Sequence, residues 1–269
     1  MALDSSTPRP KPLGRAPAPA VRSKRWDVRF DAGRNHRGKI GFVLIPNEQT
    51  IEEDMTRLAP AGVGVYFSRA TMPHEISTQS LAQAAGSLAE TAARILPDDA
   101  LDVVCFACTS GAVAVGEARA IAELERGAPA AKATTLVTCV KNALRRLGAR
   151  RIVVGTPYTD ELNASVAECL VEAGFEIVEL QGLGLRYDRD MIRVAPEFLV
   201  EFARAIDRPD ADALLLSCGA LRSVEVVERI ENAIGKPVVA SNQAMLWECL
   251  RLAGVEDRLE GLGALLREF

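Results

Sequence analysis

Short apolar runs alternate with longer amphipathic segments along the chain from residue 39 onward. Runs of this length that are rich in Val, Ile and Phe are typical of buried strands, and the segments between them have helical spacing. The alternation predicts an α/β fold of parallel sheets covered by helices on both faces. The predicted strands are residues 39–45, 63–69, 102–108, 134–138, 151–156, 175–180, 213–218 and 237–241. The predicted helices are near residues 49–58, 77–95, 113–126, 139–147, 159–173, 190–207, 222–234 and 242–253.

The order of these runs indicates an internal duplication. KIGFVLIPNE, VGVYFSR and VVCFACTSGA follow one another in the first half, as RIVVGTPYTDE, FEIVEL and LLLSCGALR do in the second. Pro46 precedes Cys108 by 62 positions, and Pro157 precedes Cys218 by 61. Accidental similarity between strands is the alternative, but the matching cysteines favour two similar half-domains.

We expect four segments along the chain. Residues 1–37 are rich in Pro, Ala and Arg and are predicted to be a flexible tail. Residues 38–138 and 139–240 are the expected half-domains, and residues 241–269 are expected to form a helical segment that packs back on the first half. Within the tail, RWDVRFD has apolar residues at alternate positions, which predicts an edge strand docked on the body.

Charge and hydropathy exclude two classes of partner. The net charge of −4 comes without a large basic block, which argues against nucleic-acid binding through many phosphates. Apolar runs such as VVCFAC and ALLLSC fall well short of the ~20 residues that a membrane-spanning helix needs. The expected partners are therefore a small carboxylate substrate and further copies of the chain in a homo-oligomer.

The cysteines and the strand ends indicate the compartment and the cofactor requirement. Six cysteines are spread through apolar segments and no secretory signal precedes them, so we expect reduced thiols in a cytoplasmic protein. No strand is followed by the glycine spacing of a dinucleotide-binding or phosphate-binding loop. We expect an enzyme that needs no cofactor and no metal.

Two cysteines are the candidate catalytic residues. Cys108 and Cys218 each end a predicted strand and precede a helix, and ligands of parallel sheets bind beyond the carboxyl ends of the strands. A thiol has a pKa of about 8.5, and nearby amide dipoles can lower it, so Cys can serve as a nucleophile or a base. The alternative is that each is a buried structural cysteine.

Other reactive residues carry weaker signals. Cys105 shares a CxxC spacing with Cys108, but no second pair or nearby His supports a metal site, and it is expected in the core. Cys139, Cys169 and Cys249 lie in predicted helices and are given no catalytic function. His74 is a candidate lid residue with a solvated loop as the alternative, and Tyr158, at a strand end, could hydrogen-bond a substrate oxygen. An ordinary surface position for Tyr158 is equally compatible with the spacing.

Four motifs form a specific set: CFACTSGA, VVGTPYTDELN, LLLSCGALR and PVVASNQAMLWECLRLAG. Over residues 38–255 the chain resembles the Asp/Glu racemase superfamily, in the branch of maleate cis–trans isomerases, arylmalonate decarboxylases and racemase-like proteins of ectoine utilisation. RWDVRFD, RGKIGFVLIPNEQTIEED and VGVYFSR are most similar to the ectoine-utilisation group. The resemblance implies two pseudo-twofold-related, Rossmann-like half-domains with the active site between them.

The same resemblance implies functions for individual residues. In the isomerases the residue that matches Cys108 adds to the alkene and the one that matches Cys218 acts as an acid, whereas in the racemases the two act as opposed base and acid. Arylmalonate decarboxylases keep only the second cysteine, so Cys108 argues against a dedicated decarboxylase. The implied substrate-binding residues are Thr109, Ser110, Tyr158, Gly219, Ala220 and Asn242. For Asn242 and its neighbour Gln243, helix capping is the alternative.

Two positions depart from the maleate isomerase pattern. Gln49 stands where the isomerases carry an asparagine after the first strand, and Asp188 stands where a second asparagine is expected. An anionic Asp188 is unfavourable beside a dicarboxylate and favourable beside an ammonium group. We therefore expect Gln49 and Asp188 to contact an amino-acid-like substrate rather than maleate.

Three functions follow from these observations. The leading hypothesis is a racemase or isomerase that acts at the carbon α to a carboxylate by two-cysteine acid–base chemistry, with a possible place in ectoine utilisation. The second is a maleate cis–trans isomerase that uses covalent addition of Cys108. The third is a small-ligand-binding or regulatory protein on the same fold.

Overall fold

Two parallel sheets of four strands each form the centre of the protein, in a computed structural model that describes residues 21–71 and 83–269. The first sheet consists of β1 (Gly38–Leu44), β2 (Val63–Arg69), β3 (Val103–Phe106) and β4 (Lys132–Thr135). The second consists of β5 (Arg151–Thr156), β6 (Glu176–Gly182), β7 (Ala213–Leu216) and β8 (Val238–Ala240). Every residue of β3 and β7 is buried, as expected for strands that are covered on both faces.

Helices connect the strands and cover the sheets. In the described residues they are α1 (Ile51–Leu58), α2 (Ala85–Ala93), α3 (Thr109–Val115), α4 (Glu117–Gly127), α5 (Leu136–Arg146), α6 (Asp160–Glu172), α7 (Asp188–Met191), α8 (Pro196–Ile206), α9 (Val227–Ile234), α10 (Ser241–Leu252) and α11 (Ala264–Glu268). A short 3-10 helix, Ser223–Val226, precedes α9. Helix α10 packs against α5 and also contacts α1.

The two sheets repeat the same topology. Their strand orders are β2-β1-β3-β4 and β6-β5-β7-β8, so the second order is the first shifted by four strands. The repeat extends to single hydrogen bonds: Asp102 accepts from the backbone N–H of Lys39 at 2.8 Å, and Asp212 accepts from that of Arg151 at 2.8 Å. The duplication expected from the sequence is therefore present in the fold.

Several predicted element boundaries were wrong. The strand predicted at residues 134–138 ends at Thr135, whose hydroxyl accepts a hydrogen bond from the N–H of Thr138 at 3.2 Å and caps α5. The helix predicted at 113–126 is two helices, α3 and α4, which are separated at Gly116, where φ is 86°. The helix predicted at 190–207 is also two, because Pro196 starts α8 anew.

The segment before β1 does not contain the predicted edge strand. Residues 21–30 have no helix or strand, and Trp26, Val28 and Phe30 are 77%, 61% and 91% exposed. The candidate lid residue His74 and the first part of the helix predicted at 77–95 lie outside the described residues. Within residues 21–71 and 83–269, no helix has the length and apolar character needed to cross a membrane.

Candidate active site

Both candidate catalytic cysteines line one cavity. Cys108 lies two residues beyond the end of β3, and Cys218 lies two residues beyond the end of β7, so the duplicated topology brings equivalent strand ends together. The lining residues are Ile45, Glu48, Ile51, Ala107, Cys108, Thr109, Ser110, Tyr158, Asp188, Met191, Cys218, Gly219 and Ala220. Residues from both sheets therefore form the walls.

Cys108 is held at the start of α3. Its sulfur accepts a hydrogen bond from the N–H of Gly111 at 3.2 Å and lies 3.8 Å from the Ser110 hydroxyl. Gly111 leaves room for the thiol, because a Cβ at that position would lie 2.9 Å from the Cys108 sulfur. Burial raises the pKa of Cys108 to about 12, and the Gly111 amide acts in the opposite direction.

Cys218 has a matching environment. Its sulfur accepts from the N–H of Ala220 at 3.4 Å, and its own N–H donates to the Ser241 hydroxyl at 3.0 Å. Burial raises the pKa of Cys218 to about 12, while a hydrogen bond from Tyr158 lowers it. Both thiols are therefore protonated at neutral pH, and the amides and Tyr158 are placed to stabilise a thiolate once it forms.

Tyr158 is fixed by the turn after β5. Its N–H donates to Thr156 Oγ1 at 3.1 Å, and its carbonyl accepts from Asn163 Nδ2 at 3.4 Å. Burial raises the pKa of the Tyr158 phenol well above its ordinary value. The phenol therefore stays neutral and can donate a hydrogen bond to a thiolate or a substrate oxygen.

Two buried carboxyls share the cavity with the thiols. Glu48 accepts from the N–H groups of Thr50 and Ile51, each at 2.9 Å, and burial raises its pKa to about 7. Burial also raises the pKa of Asp188 to about 6, and its Oδ2 atom is buried without a hydrogen-bond partner among the described residues. The cavity therefore offers a polar atom that a ligand can satisfy.

Most of the predicted site residues line this cavity, but Gln49 does not. Gln49 is exposed, and its side chain donates to the carbonyl of Asn47 at 3.4 Å. Its neighbour Glu48 faces the cavity instead, and the sequence analysis missed it. The signal was available: Glu48 is an acidic residue in the turn after β1, at the same edge of the first sheet as Cys108.

Asn242 is also outside the cavity wall, although it is completely buried. Its amide donates to Asp54 Oδ2 at 2.8 Å and to the carbonyl of Gly219 at 2.9 Å, so it supports the turn that carries Cys218. The neighbouring Gln243 accepts from the N–H of Ala240 at 3.1 Å, which is the helix-capping alternative.

The remaining thiols lie elsewhere. Cys105, Cys139 and Cys249 are fully buried, with their sulfurs within 4.8 Å of one another. Cys169 is half-buried and contacts Glu117 at 3.9 Å. None of these four lines the cavity that contains Cys108 and Cys218.

Proteins of known activity share this chain's sequence pattern. The arylmalonate decarboxylase of Bordetella bronchiseptica is 39% identical over 123 residues, a match that spans 45% of this chain and 51%, about half, of that relative. The maleate isomerase of Nocardia farcinica is 28% identical over 242 residues, which span 86% of this chain and 96% of that enzyme.

Solved structures of both kinds of enzyme share the fold. One is a serine-for-cysteine mutant of the Nocardia farcinica maleate cis–trans isomerase with a covalently bound succinylcysteine intermediate. Its TM-score is 0.79 and its sequence identity is 25%, over 86% of this chain and 99% of that one. A liganded double mutant of arylmalonate decarboxylase has a TM-score of 0.79 and 28% identity, over 86% of this chain and 100% of that one.

The family profile extends over both halves of the protein. It is the profile described as arylmalonate decarboxylase, and it matches residues 40–266, from β1 to α11. Its range includes both sheets and every residue that lines the cavity. Maleate isomerases are also similar to this chain in sequence and in structure. The matched profile shows that the chain belongs to the arylmalonate decarboxylase family.

Proposed function

We propose that this protein is a cofactor-independent isomerase or racemase that acts at the carbon α to the carboxylate of a small or amino-acid-derived substrate. The observation that carries the proposal is the position of Cys108 and Cys218, which extend from equivalent strand ends into one cavity. Each sulfur accepts a backbone N–H, from Gly111 and Ala220 respectively, so either one can bear the negative charge.

The reaction needs a base on one face of the substrate and a proton donor on the other. The thiolate of one cysteine removes the α proton, and the electron pair left on carbon is delocalised into the carboxylate as an enediolate. The thiol of the other cysteine then donates its proton to the opposite face of the same carbon. The substrate leaves with an inverted centre, and the two cysteines have exchanged protonation states.

The carboxylate needs donors close to the thiols. Thr109 and Ser110 follow Cys108 directly, and the buried Thr109 side chain lies beside the Tyr158 phenol. Gly219 and Ala220 offer the equivalent positions after Cys218, and the neutral phenol of Tyr158 can donate from a third direction. These groups support binding of a carboxylate whose negative charge increases in the enediolate.

Solvent deuterium incorporation tests this proposal. The protein is incubated in deuterated water with both enantiomers of aspartate, glutamate and N-acetyl-diaminobutyrate, the last because the sequence resemblance extends the proposal to ectoine utilisation. We expect deuterium at an α carbon by proton NMR, lost in Cys108→Ala and in Cys218→Ala. Cys169→Ala, a thiol outside the cavity, is the control and should keep full exchange. Ligand binding without exchange in the parent protein would instead favour the binding-protein alternative.

The second candidate is covalent cis–trans isomerisation of maleate, and a similar isomerase structure with a succinylcysteine intermediate favours it. In this reaction the Cys108 thiolate adds to one alkene carbon, and the other carbon takes a proton from the Cys218 thiol. The new single bond rotates, and return of this proton to Cys218 with loss of the Cys108 thiolate restores the double bond. A Cys218→Ser variant should then accumulate a thioether on Cys108, visible by peptide mass spectrometry. Turnover of maleate to fumarate with this adduct would replace the proton-transfer proposal.

A further inference from the structure

The described lining of the cavity contains two carboxyl groups and no cationic side chain. Glu48 and Asp188 are 4% and 7% exposed, and both line the wall together with Cys108 and Cys218. None of the described lining residues is Lys, Arg or His. A buried carboxylate is unfavourable unless a cation or several donors compensate its charge.

The two carboxyls differ in how the protein compensates them. Glu48 accepts backbone N–H groups of Thr50 and Ile51 at the start of α1. Within residues 21–71 and 83–269 no donor reaches Asp188 Oδ2, which is buried although Asp188 belongs to the cavity wall. An acceptor left in this state is unfavourable until a donor reaches it.

We infer that Glu48 and Asp188 form an ammonium subsite, so that the substrate of this cavity carries a protonated amine as well as its carboxylate. The inference rests on the proposed function, since it assigns a substrate class to the same cavity. An ammonium group has three donors, so it can bond Asp188 Oδ2 and still reach Glu48. A dianion without an amine would add like charge to a cavity that contains two carboxyls.

The same contact would prepare the thiols for catalysis. Burial raises the pKa of both Cys108 and Cys218, and the negative charges of Asp188, at both thiols, and of Glu48, at Cys108, raise it further. A substrate ammonium that neutralises these charges removes this effect and adds an attractive one. Thiolate formation is then favoured by the arrival of the substrate.

A different occupant would use the carboxyls in another way. The pKa values of about 7 for Glu48 and about 6 for Asp188 allow a protonated carboxyl to donate a hydrogen bond to a carboxylate. That arrangement would select an anion rather than a cation. The charge of the preferred ligand therefore separates the two arrangements.

Charged alkylating agents measure this preference without a known substrate. The parent protein is treated with 2-bromoethylamine, which is cationic, with neutral iodoacetamide and with anionic iodoacetate, and the rates at Cys108 and Cys218 are followed by peptide mass spectrometry. The thiolate concentration cancels in the ratio of the rate with 2-bromoethylamine to the rate with iodoacetamide. We expect this ratio to exceed that of 2-mercaptoethanol about tenfold at one or both cysteines, as one compensated charge pair allows.

Matched variants assign the effect to the carboxyls. Asp188→Asn should return the ratio toward that of 2-mercaptoethanol, whereas Asp190→Asn, on the same short helix but outside the cavity wall, should leave it unchanged. Glu48→Gln with Glu53→Gln as its control repeats the test at α1. A parent ratio equal to that of 2-mercaptoethanol, a faster reaction with iodoacetate, or an unchanged ratio in Asp188→Asn would overturn the inference.

The subsite and the proposed function can fail separately. Alkylation needs no turnover, so a charge preference that depends on Asp188 establishes the subsite even if no α-carbon exchange is found. Exchange that depends on both cysteines, together with an alkylation ratio that Asp188→Asn leaves unchanged, establishes the function and removes the subsite.

Discussion

Five ionisable side chains with raised pKa values line the cavity. Burial raises the pKa of Glu48, Cys108, Tyr158, Asp188 and Cys218, and all five line the same wall. Such clusters are typical of functional sites, because chemistry needs groups that would be unfavourable in an ordinary core. The stability of the folded protein should therefore depend on pH through these residues.

Asp188→Asn should stabilise the protein at neutral pH. The folded pKa of Asp188 is about 6, above its ordinary value of 3.8, so the folded state holds a proton that the unfolded state releases between these values. Asp188 therefore does not lower the free energy of unfolding below a pH of about 3.8, and it lowers it by the full amount above a pH of about 6. We expect Asp188→Asn to raise the free energy of unfolding by about 2–3 kcal/mol at pH 7.5, a gain that disappears toward pH 4.

Urea unfolding of the parent protein, Asp188→Asn and Asp190→Asn between pH 4 and pH 8 measures this effect. Asp190→Asn makes the same chemical change two residues away and should parallel the parent protein. A constant difference between Asp188→Asn and the parent across this range would mean that Asp188 does not carry the burial penalty.

At the scale of elements, the turns that follow the strands determine which side chains line the cavity. The apolar runs located all eight strands, because strands buried on both faces need nearly continuous apolar sequence. Helix boundaries depend on single capping groups and backbone angles, and there the sequence analysis was less accurate. The division between α3 and α4 at Gly116 is the clearest case.

Gly116→Ala should destabilise the protein through backbone strain alone. Gly116 has φ 86° and ψ 125°, a conformation that residues with a Cβ rarely adopt, and an added Cβ would meet no atom within 4 Å. We expect a loss of about 1–3 kcal/mol in the free energy of unfolding. Gly86→Ala, in α2 with equally open space and ordinary φ, should instead stabilise by about 0.5–1 kcal/mol. Equal effects of the two variants in urea unfolding would contradict this explanation.

At the scale of the whole molecule, a few hydrogen bonds join the segment between β1 and β2 to the turn that carries Cys218. Thr50 Oγ1 donates to the carbonyl of Ala220 at 3.0 Å, and Asn242 bridges Asp54 of α1 and the carbonyl of Gly219. Burial raises the pKa of Asp54, and the Asn242 amide lowers it. The position of Cys218 therefore depends on residues that are distant in the sequence.

Asn242→Ala should weaken both stability and catalysis. Loss of the amide leaves the Asp54 carboxyl and the Gly219 carbonyl without this donor, and we expect the free energy of unfolding to fall by about 2–3 kcal/mol. The exchange rate should fall as well under conditions where the variant is fully folded, because the Cys218 turn loses its support.

Asn142→Ala is the control for Asn242→Ala. Asn142 donates to Glu248 at 2.8 Å, between α5 and α10, and does not line the cavity. The free energy of unfolding of Asn142→Ala should fall by only about 1 kcal/mol, the usual contribution of one hydrogen bond, and its deuterium exchange rate should stay unchanged. Equal loss of exchange in both variants would show that Asn242 has no specific connection to the Cys218 turn.

The sequence by itself determined the duplicated α/β fold and the pairing of Cys108 with Cys218. The apolar period locates the strands, and the matching order of the two halves places the two cysteines at equivalent strand ends of the two sheets. Only the tertiary structure decided that Glu48 rather than Gln49 faces the cavity, and that Asn242 supports Gly219 rather than lining the wall. These choices depend on backbone hydrogen bonds in the turn after β1 and on contacts between Asp54 and Asn242, which residue spacing does not encode.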